Sequence, residues 1–573
     1  MSELIIKNAA VCDPLNGINC EKMDIAVKDG KIVESVSSNA DTIDAKGKLT
    51  MAGAIDGHTH CAGKINVGRL MSPHDMRMNP VNGLSGIQPA TSVTRAQAGY
   101  NTPNTFALGY RYSKLGYTTL SEAAISMMAA KHTHEEFESI PILDKWGLTL
   151  FGNNWHVMNY VRDEEPEKLA AYLAWGLKAT RGFGIKVVNP GGGEAWGWGK
   201  NVTSIDDEVP DFDVTPREIL VELAKANEDL NLPHSIHVHC NNLGKPGNYE
   251  TTLDTMKIME GIKASRDRQV LHLAHLQFHA YAGNSWREFE SASTQLADYI
   301  NTKDHLTFDM GQVIFGPAMT MTADGPLEYS NARMLHSKWS NKDVELEDGA
   351  GVVPIVYSPK SFVNSVQWAI GLELALLVDD PWKVMFTTDS PNGGSFVNYP
   401  EAYSLLMSAK KREQIIETLP ELAIDRMVLP GIDRELSFYE LAVMTRALQS
   451  KMFSVDTIGH LGIGANADIA IYDIIPDKID AGTEHEKVKQ ALSATSYTIK
   501  SGNVVVQDGE IVSSPRGKTY WVNASGRVPS EINEVTLKDI QNNFRKYYTV
   551  AMSNYVVDDH YLPNPIEINT QEA

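Results

Sequence analysis

Six residues are spaced through the chain as a water-activating two-metal centre requires: His58 and His60, then Lys186, His239, His275 and Asp389. Imidazoles and carboxylates are the ligands that hold a pair of divalent cations. In Ala54-Ile55-Asp56-Gly57-His58-Thr59-His60 an apolar run ends in two histidines. In a strand, residues i and i+2 point to one side, so both rings reach the same ion. Taken alone, such a pair is equally a satisfied core pair, and its weight comes from the four residues that follow.

The segment Gly184-Ile185-Lys186-Val187-Val188-Asn189-Pro190 is β-branched and apolar around a single lysine, the pattern of a strand buried on both faces. Counted in β/α repeats of about forty residues from His60, it falls on the fourth strand of a barrel. Burial favours the neutral amine, the form that adds carbon dioxide to give a carbamate with two oxygens for two cations. The competing reading of Lys186 is a snorkelling or salt-bridged lysine. Ser235 to Cys240 and Val270 to His275 are again apolar runs carrying histidines. Barrel ligands sit at the carboxyl ends of strands, which selects His239 and His275. His237 and His272 then lie deeper as supporting groups, and His234 and His279 are read as loop histidines. Lys383 to Thr388 forms a strand closing in Asp389, ahead of the turn-rich Ser390-Pro391-Asn392-Gly393-Gly394. Asp389 is expected to ligate one ion and to shuttle a proton.

The elements that must carry these residues alternate. Pro166 to Leu177 places Leu169, Tyr172, Leu173 and Leu177 on one helical face, and Thr215-Pro216-Arg217-Glu218 is a capping box ahead of the His239 strand. The ends of the chain read differently. Met23 to Val33, with Asp29-Gly30, and Tyr497 to Glu510, with Asp508-Gly509, are alternating strands with hairpin turns. The expected fold class is therefore α/β: a (β/α)8 TIM-type barrel over residues 51–450, with an aperiodic insertion near 315–360 over its mouth. A small discontinuous β-sandwich is expected from residues 1–50 and from 451–573, the latter also including a tail.

With 573 residues, 43% hydrophobic and 21% charged, the chain is large enough for both units. The start, MSELIIKNAAV, is not a basic leader with an apolar core, and no apolar stretch approaches membrane-spanning length, so a cytoplasmic location is expected. The four cysteines, Cys12, Cys20, Cys61 and Cys240, have no CxxC spacing, so no disulfide framework or iron–sulfur motif is expected. Cys61 and Cys240 adjoin ligand histidines and are read as small packing residues. A net charge of −21 argues against nucleic acid and anionic membrane surfaces as general partners. The glycine-rich Gly191 to Lys200 misses the P-loop register, because Asn201 follows Gly199-Lys200 and Glu194 stands where the first glycine should be. Trp196 or Trp198 in that loop could pack on a flat substrate ring.

The six ligand positions resemble the metal set of the amidohydrolase superfamily. Over nearly the whole length, the chain resembles the family of formylmethanofuran dehydrogenase A subunits. IKVVNPGGG from Ile185, HVHCNN from His237 and TTDSPNGG from Thr387 carry that likeness most specifically. The resemblance implies two divalent ions, zinc by ligand type, bridged by N6-carboxylated Lys186. It implies interconversion of formate plus methanofuran with formylmethanofuran. It also implies partners: iron–sulfur protein subunits together with a tungsten- or molybdenum-pterin, formate dehydrogenase-like subunit. The anionic tail of methanofuran would call for a local basic cluster, and Arg69, Arg77 and Arg111 are the candidates. Three alternatives remain: a free-standing cyclic-amide or N-acyl hydrolase of the dihydropyrimidinase type, a subunit of the related bacterial formyltransferase/hydrolase complex, and a metal-free scaffold on the same fold.

Overall fold

The computed structural model describes residues 3–71, 87–341, 351–548, 550–562 and 564–571. Eight parallel strands make the barrel: β1 (Ala54–Thr59), β2 (Tyr117–Ile125), β3 (Asp144–Leu150), β4 (Gly184–Val188), β5 (Ile236–His239), β6 (Leu271–Leu273), β7 (Leu306–Asp309) and β8 (Val384–Met385). Each pairs with the next in register, as Lys186 with His237 and Val238 with Leu273. The ring closes where Thr59 bridges Ser390, His60 N donates to Ser390 O at 2.8 Å, and Thr387 Oγ1 donates to His58 O at 2.8 Å. β1, β3, β4 and β5 are buried at every position, as strands covered on both faces must be.

Two local sequence features explain how β1 is seated. A Cβ on Gly57 would meet Met385 Sδ at 2.4 Å and Phe453 at 2.9 Å, so the glycine lets the strand pass its barrel neighbours. Asp56 turns to the other side and accepts hydrogen bonds from Tyr112 Oη at 2.7 Å and Tyr399 Oη at 2.5 Å. Burial raises the Asp56 carboxyl to about 6 against these donors.

Helices follow the strands as the periodicity predicts. α1 (Pro166–Thr180) buries Leu169, Tyr172, Leu173 and Leu177, and α2 (Pro216–Asp229) opens on a capping box in which Thr215 and Glu218 satisfy each other's backbone donors. The chain termini form one mixed sheet of nine strands, assembled from Glu3–Asp13 to Leu49–Ala52 and from Ile469–Tyr472 to Glu510–Ile511. Leu4, Ile6, Val11, Ile25, Val27, Ile469, Ile471 and Ile499 fill its core. Both expected hairpins are present, with Asp29-Gly30 and Asp508-Gly509 at positive φ, and Ser501-Gly502 makes a third of the same kind.

Two features depart from the expected layout. Beyond the sheet, Thr519–Asn523 and Pro565–Asn569 pair with each other and meet β3 at Lys145, so this part of the chain packs on the barrel flank. The stretch near 315–360 is not aperiodic. Gly316–Thr322 pairs antiparallel with Gly351–Tyr357, with α3 (Gly325–Leu335) between them. Its alternation was hidden because the two strands are joined across a helix instead of a turn.

Candidate metal centre

All six candidate ligands lie at the carboxyl end of the barrel. His58 is in β1 and His60 follows it, Lys186 is inside β4, and His239 ends β5. His275 lies two residues past β6, and Asp389 four past β8. Both of these last residues have left-handed backbone, φ 34° and 51°, an uncommon conformation for side chains other than glycine. That turn swings each side chain back over the barrel mouth. Ligand atoms of His58, His275 and Asp389 lie within 4.8 Å of one another. Asp389 Oδ1 is 3.2 Å from Nε2 of both His58 and His60.

The fit to a cation is carried by the polar atoms that the protein leaves without partners. Among the described residues, Lys186 Nζ and His275 Nδ1 are buried with no hydrogen bond, and Asp389 Oδ1 has only the two 3.2 Å approaches of the histidine rings. Unsatisfied buried polar atoms converging on one place are costly unless a ligand completes them. Burial lowers the Lys186 amine to about 8, against the attraction of Asp309 and Asp389, so a neutral amine is accessible near neutral pH. Burial alone would raise the Asp389 carboxyl, but His58 and His60 hold it well below the usual range. The same arrangement raises His60 to about 9, where Asp389 and Glu122 outweigh desolvation. For His275 burial prevails and pushes the ring far toward neutrality, the form that donates a lone pair.

Three carboxylates hold the far nitrogens of the ligand histidines. Asp309 Oδ2 is 2.7 Å from His58 Nδ1, Glu122 Oε1 is 3.1 Å from His60 Nδ1, and Asp324 Oδ2 is 3.1 Å from His239 Nε2. An ionised carboxylate accepts only, so each of these nitrogens carries a proton. The nitrogen left toward the mouth is therefore Nε2 on His58 and His60, where each lies 3.2 Å from Asp389 Oδ1, and Nδ1 on His239. Asp309 does more. It also faces His272 Nε2 at 3.3 Å and accepts from the His275 backbone N–H at 2.8 Å. Nothing in the spacing of the sequence marks these carboxylates; Asp309, last in an apolar strand, repeats the pattern that singles out Asp389.

A family model described as the amidohydrolase family matches residues 41–506. Protein FwdA of Methanocaldococcus jannaschii is 50% identical over 566 residues, covering 98% of this chain and 97% of that protein. The A component of the formyltransferase/hydrolase complex Fhc of Methylorubrum extorquens is 36% identical over 568 residues, covering 97% of each. The chain belongs to the amidohydrolase family. Its resemblance to formylmethanofuran dehydrogenase A subunits, read first from the ligand motifs, thus extends over almost the full length. The X-ray structure of the FhcABCD complex with methylofuran contains a chain that superposes with a TM-score of 0.86 at 32% identity, covering 99% of this chain and all of that one.

Above the six candidate ligands, this amidohydrolase has a cavity of about 310 Å³. Val188, Leu243, Phe278, Trp286, Met321 and Tyr357 give it a mainly apolar wall, and Gln367 and Asn392 are among its polar groups. The candidate substrate contacts lie elsewhere. Arg69 donates to Pro103 O at 2.8 Å and Arg111 to Gly99 O, and neither lines the cavity. Arg77 is outside the described residues. Trp198 is 56% exposed and donates to Glu194 at 2.9 Å, and Trp196 faces Tyr329, so the flat walls come from Phe278, Trp286 and Tyr357 instead. These three belong to segments after β6 and in the insertion, which apolar patterning alone cannot direct toward the mouth.

His234, His237 and His272 form a base beneath the centre. His237 Nε2 is 3.0 Å from His58 Nδ1, and His234 Nε2 is 3.1 Å from His237 Nδ1. His234 lies in the loop before β5 and His279 ends a short 3-10 turn after β6; both are fully buried, and His279 stacks on His275 with centroids 5.4 Å apart. Cys61 and Cys240 are buried, and desolvation raises both thiols, the behaviour of packing residues. Among the described residues, no helix is long and apolar enough to cross a membrane.

Proposed function

We propose that this chain is the amidohydrolase component of a formylmethanofuran dehydrogenase complex, in which its barrel interconverts formate plus methanofuran with formylmethanofuran at a dinuclear zinc centre. The observation that carries this reading is the convergence of unpartnered Lys186 Nζ and His275 Nδ1 with Asp389 Oδ1 and the Nε2 atoms of His58 and His60 under an apolar cavity. His58, His60 and Asp389 would hold one ion, His239 and His275 the other, and Lys186, carboxylated by carbon dioxide, would bridge them. When bound, the ions supply Lewis acidity to the formyl oxygen and lower the pKa of water.

The chain's own residues do the rest. Asp389, ionised by its histidine neighbours, accepts a proton at its carboxylate and passes it to the amine nitrogen of the substrate. In the reverse direction it removes that proton as the amide forms. The apolar wall of Phe278, Trp286 and Tyr357 suits a flat furan ring and excludes competing water. Interconverting carbon dioxide and formate requires redox centres that no cysteine cluster here offers. Iron–sulfur proteins and a pterin-metal subunit complete the reaction in this reading. The 50% identity to FwdA over nearly all of both chains favours it over a free-standing cyclic-amide hydrolase. The relationship to the Fhc component keeps a formyltransferase/hydrolase complex as the second reading.

Isolation from the native source tests it. Two zinc ions per chain, copurifying redox subunits and hydrolysis of formylmethanofuran are expected. A lone oligomer that opens hydantoins would refute the proposal, and copurification with a formyltransferase but no redox protein would select the second reading.

A further inference from the structure

We infer that Asp324, carried by the insertion and not by the barrel, selects the coordinating nitrogen of His239 and thereby ties the outer wall of the cavity to metal binding. This rests on the dinuclear reading above. Of the three carboxylates behind the ligand histidines, Glu122 and Asp309 stand on barrel strands, whereas Asp324 stands between the first insertion strand and α3. It is 2% exposed, and both oxygens are engaged. Oδ2 faces His239 Nε2 at 3.1 Å. Oδ1 accepts from Leu327 N at 3.1 Å, capping α3, and from Asn189 Nδ2 at 3.2 Å, three residues beyond Lys186. One side chain thus joins the ends of β4 and β5 to the start of the insertion helix.

The chemistry of the contact fixes its direction. A carboxylate at 3.1 Å from an imidazole nitrogen is favourable only when that nitrogen carries the proton, so Asp324 keeps His239 in the Nε2–H form and leaves the lone pair on Nδ1. A cation on Nδ1 draws electron density from the ring and makes Nε2–H a better donor to Asp324. Linkage is reciprocal: whatever Asp324 adds to metal affinity, bound metal adds to the seating of Asp324 and of the helix it caps. That helix presents Leu327, Asn331, Met334 and Leu335 to the cavity.

The test uses the full chain, stripped with chelator and titrated with zinc, in the unmodified form and as Asp324→Ala and Asp324→Asn. Metal content is read directly, and trypsin reports the insertion through the exposed Arg333 and Lys338. In the unmodified protein, zinc should slow cleavage at these two sites. Asp324→Ala should bind the ion held by His239 about ten- to a hundredfold more weakly, the usual range for loss of such a supporting group. The other ion should keep its affinity, and cleavage should no longer respond to zinc. Asp324→Asn, which keeps a neutral acceptor, should fall between. If the alanine variant does not fold, the asparagine variant and the zinc response of the unmodified chain decide. Unchanged zinc affinities in the variants, or cleavage of the unmodified protein indifferent to zinc, would overturn the inference while leaving the dinuclear reading intact. A chain that binds no zinc at all overturns both.

Discussion

Asp309→Asn is the most informative single change, because it alters charge and donor pattern at nearly constant volume beneath the whole centre. Asp309 Oδ2 receives His58 Nδ1 at 2.7 Å and His272 Nε2 at 3.3 Å, and Oδ1 receives the His275 backbone N–H at 2.8 Å. An asparagine has one oxygen. If it faces the histidines, its NH2 meets the His275 N–H; if it flips, its NH2 meets His58 Nδ1–H. Either way at least one fully buried donor is orphaned, which costs about 1–3 kcal/mol. Loss of the carboxylate behind a ligand histidine weakens metal binding by about ten- to a hundredfold, or roughly 1.4–2.7 kcal/mol. Denaturant unfolding of the metal-free protein reads the first quantity, and competition with a chelator of known affinity reads the second. Both should move, and the metal effect should fall on the ion bound by His58. A variant with unchanged unfolding midpoint and unchanged zinc affinity would refute the assignment of Asp309 as the common support.

Other outcomes follow from the same geometry. Lys186→Ala should lose most bound metal and activity, with partial recovery on adding bicarbonate or short-chain carboxylic acids; full metal content by elemental analysis would remove the bridging role. Asp389→Asn should turn over at least about a hundredfold more slowly while binding metal, as steady-state rates of deformylation would show. In the metal-free protein His60 is raised to about 9, so its stabilising contribution is complete below its ordinary value near 6.5 and is lost as pH rises through 9. Between pH 7 and 8, His60 should therefore lower the unfolding free energy by up to about 1.4 kcal/mol, partly offset as Lys186, lowered to about 8, begins to lose its proton, while zinc affinity rises, in urea titrations with and without metal. Lys500→Met should destabilise by about 3–5 kcal/mol, because Lys500 Nζ lies 2.7 Å from both Asp144 and Asp468 and its loss leaves two buried carboxylates unpaired. Adding Asp144→Asn and Asp468→Asn should restore much of that in thermal melts.

The barrel was legible because parallel strands buried on both faces leave apolar runs, and because ligands must stand at their carboxyl ends. His58, Lys186 and His239 could be placed on strands by inspection for that reason. His275 and Asp389 lie past their strands in left-handed turns, and only the pattern of the set pointed to them. The supporting carboxylates were not legible: Glu122, Asp309 and Asp324 act on rings 62, 251 and 85 residues away, and no local period records such pairings. Arg69, Arg111, Trp196 and Trp198 lie away from the cavity for a related reason, and Arg77 lies outside the described residues. Charge and ring type are visible in a sequence, but Arg111 spends its guanidinium on a backbone carbonyl, and the cavity walls come from an insertion whose partner strands are far apart.

The mixed sheet built from both ends of the chain has a consequence for synthesis. Leu49–Ala52 pairs on one side with Glu3–Asp13, made earlier, and on the other with Ile469–Tyr472, which emerges only after the whole barrel has been translated. At ~5–20 residues per second, the intervening roughly 400 residues take about 20–80 s. For that time the first strands present an unpaired edge to the ribosome's surroundings, where edges invite wrong pairings. The barrel is thus free to close before its flanking sheet is complete, and a strand made after the barrel seals one made before it.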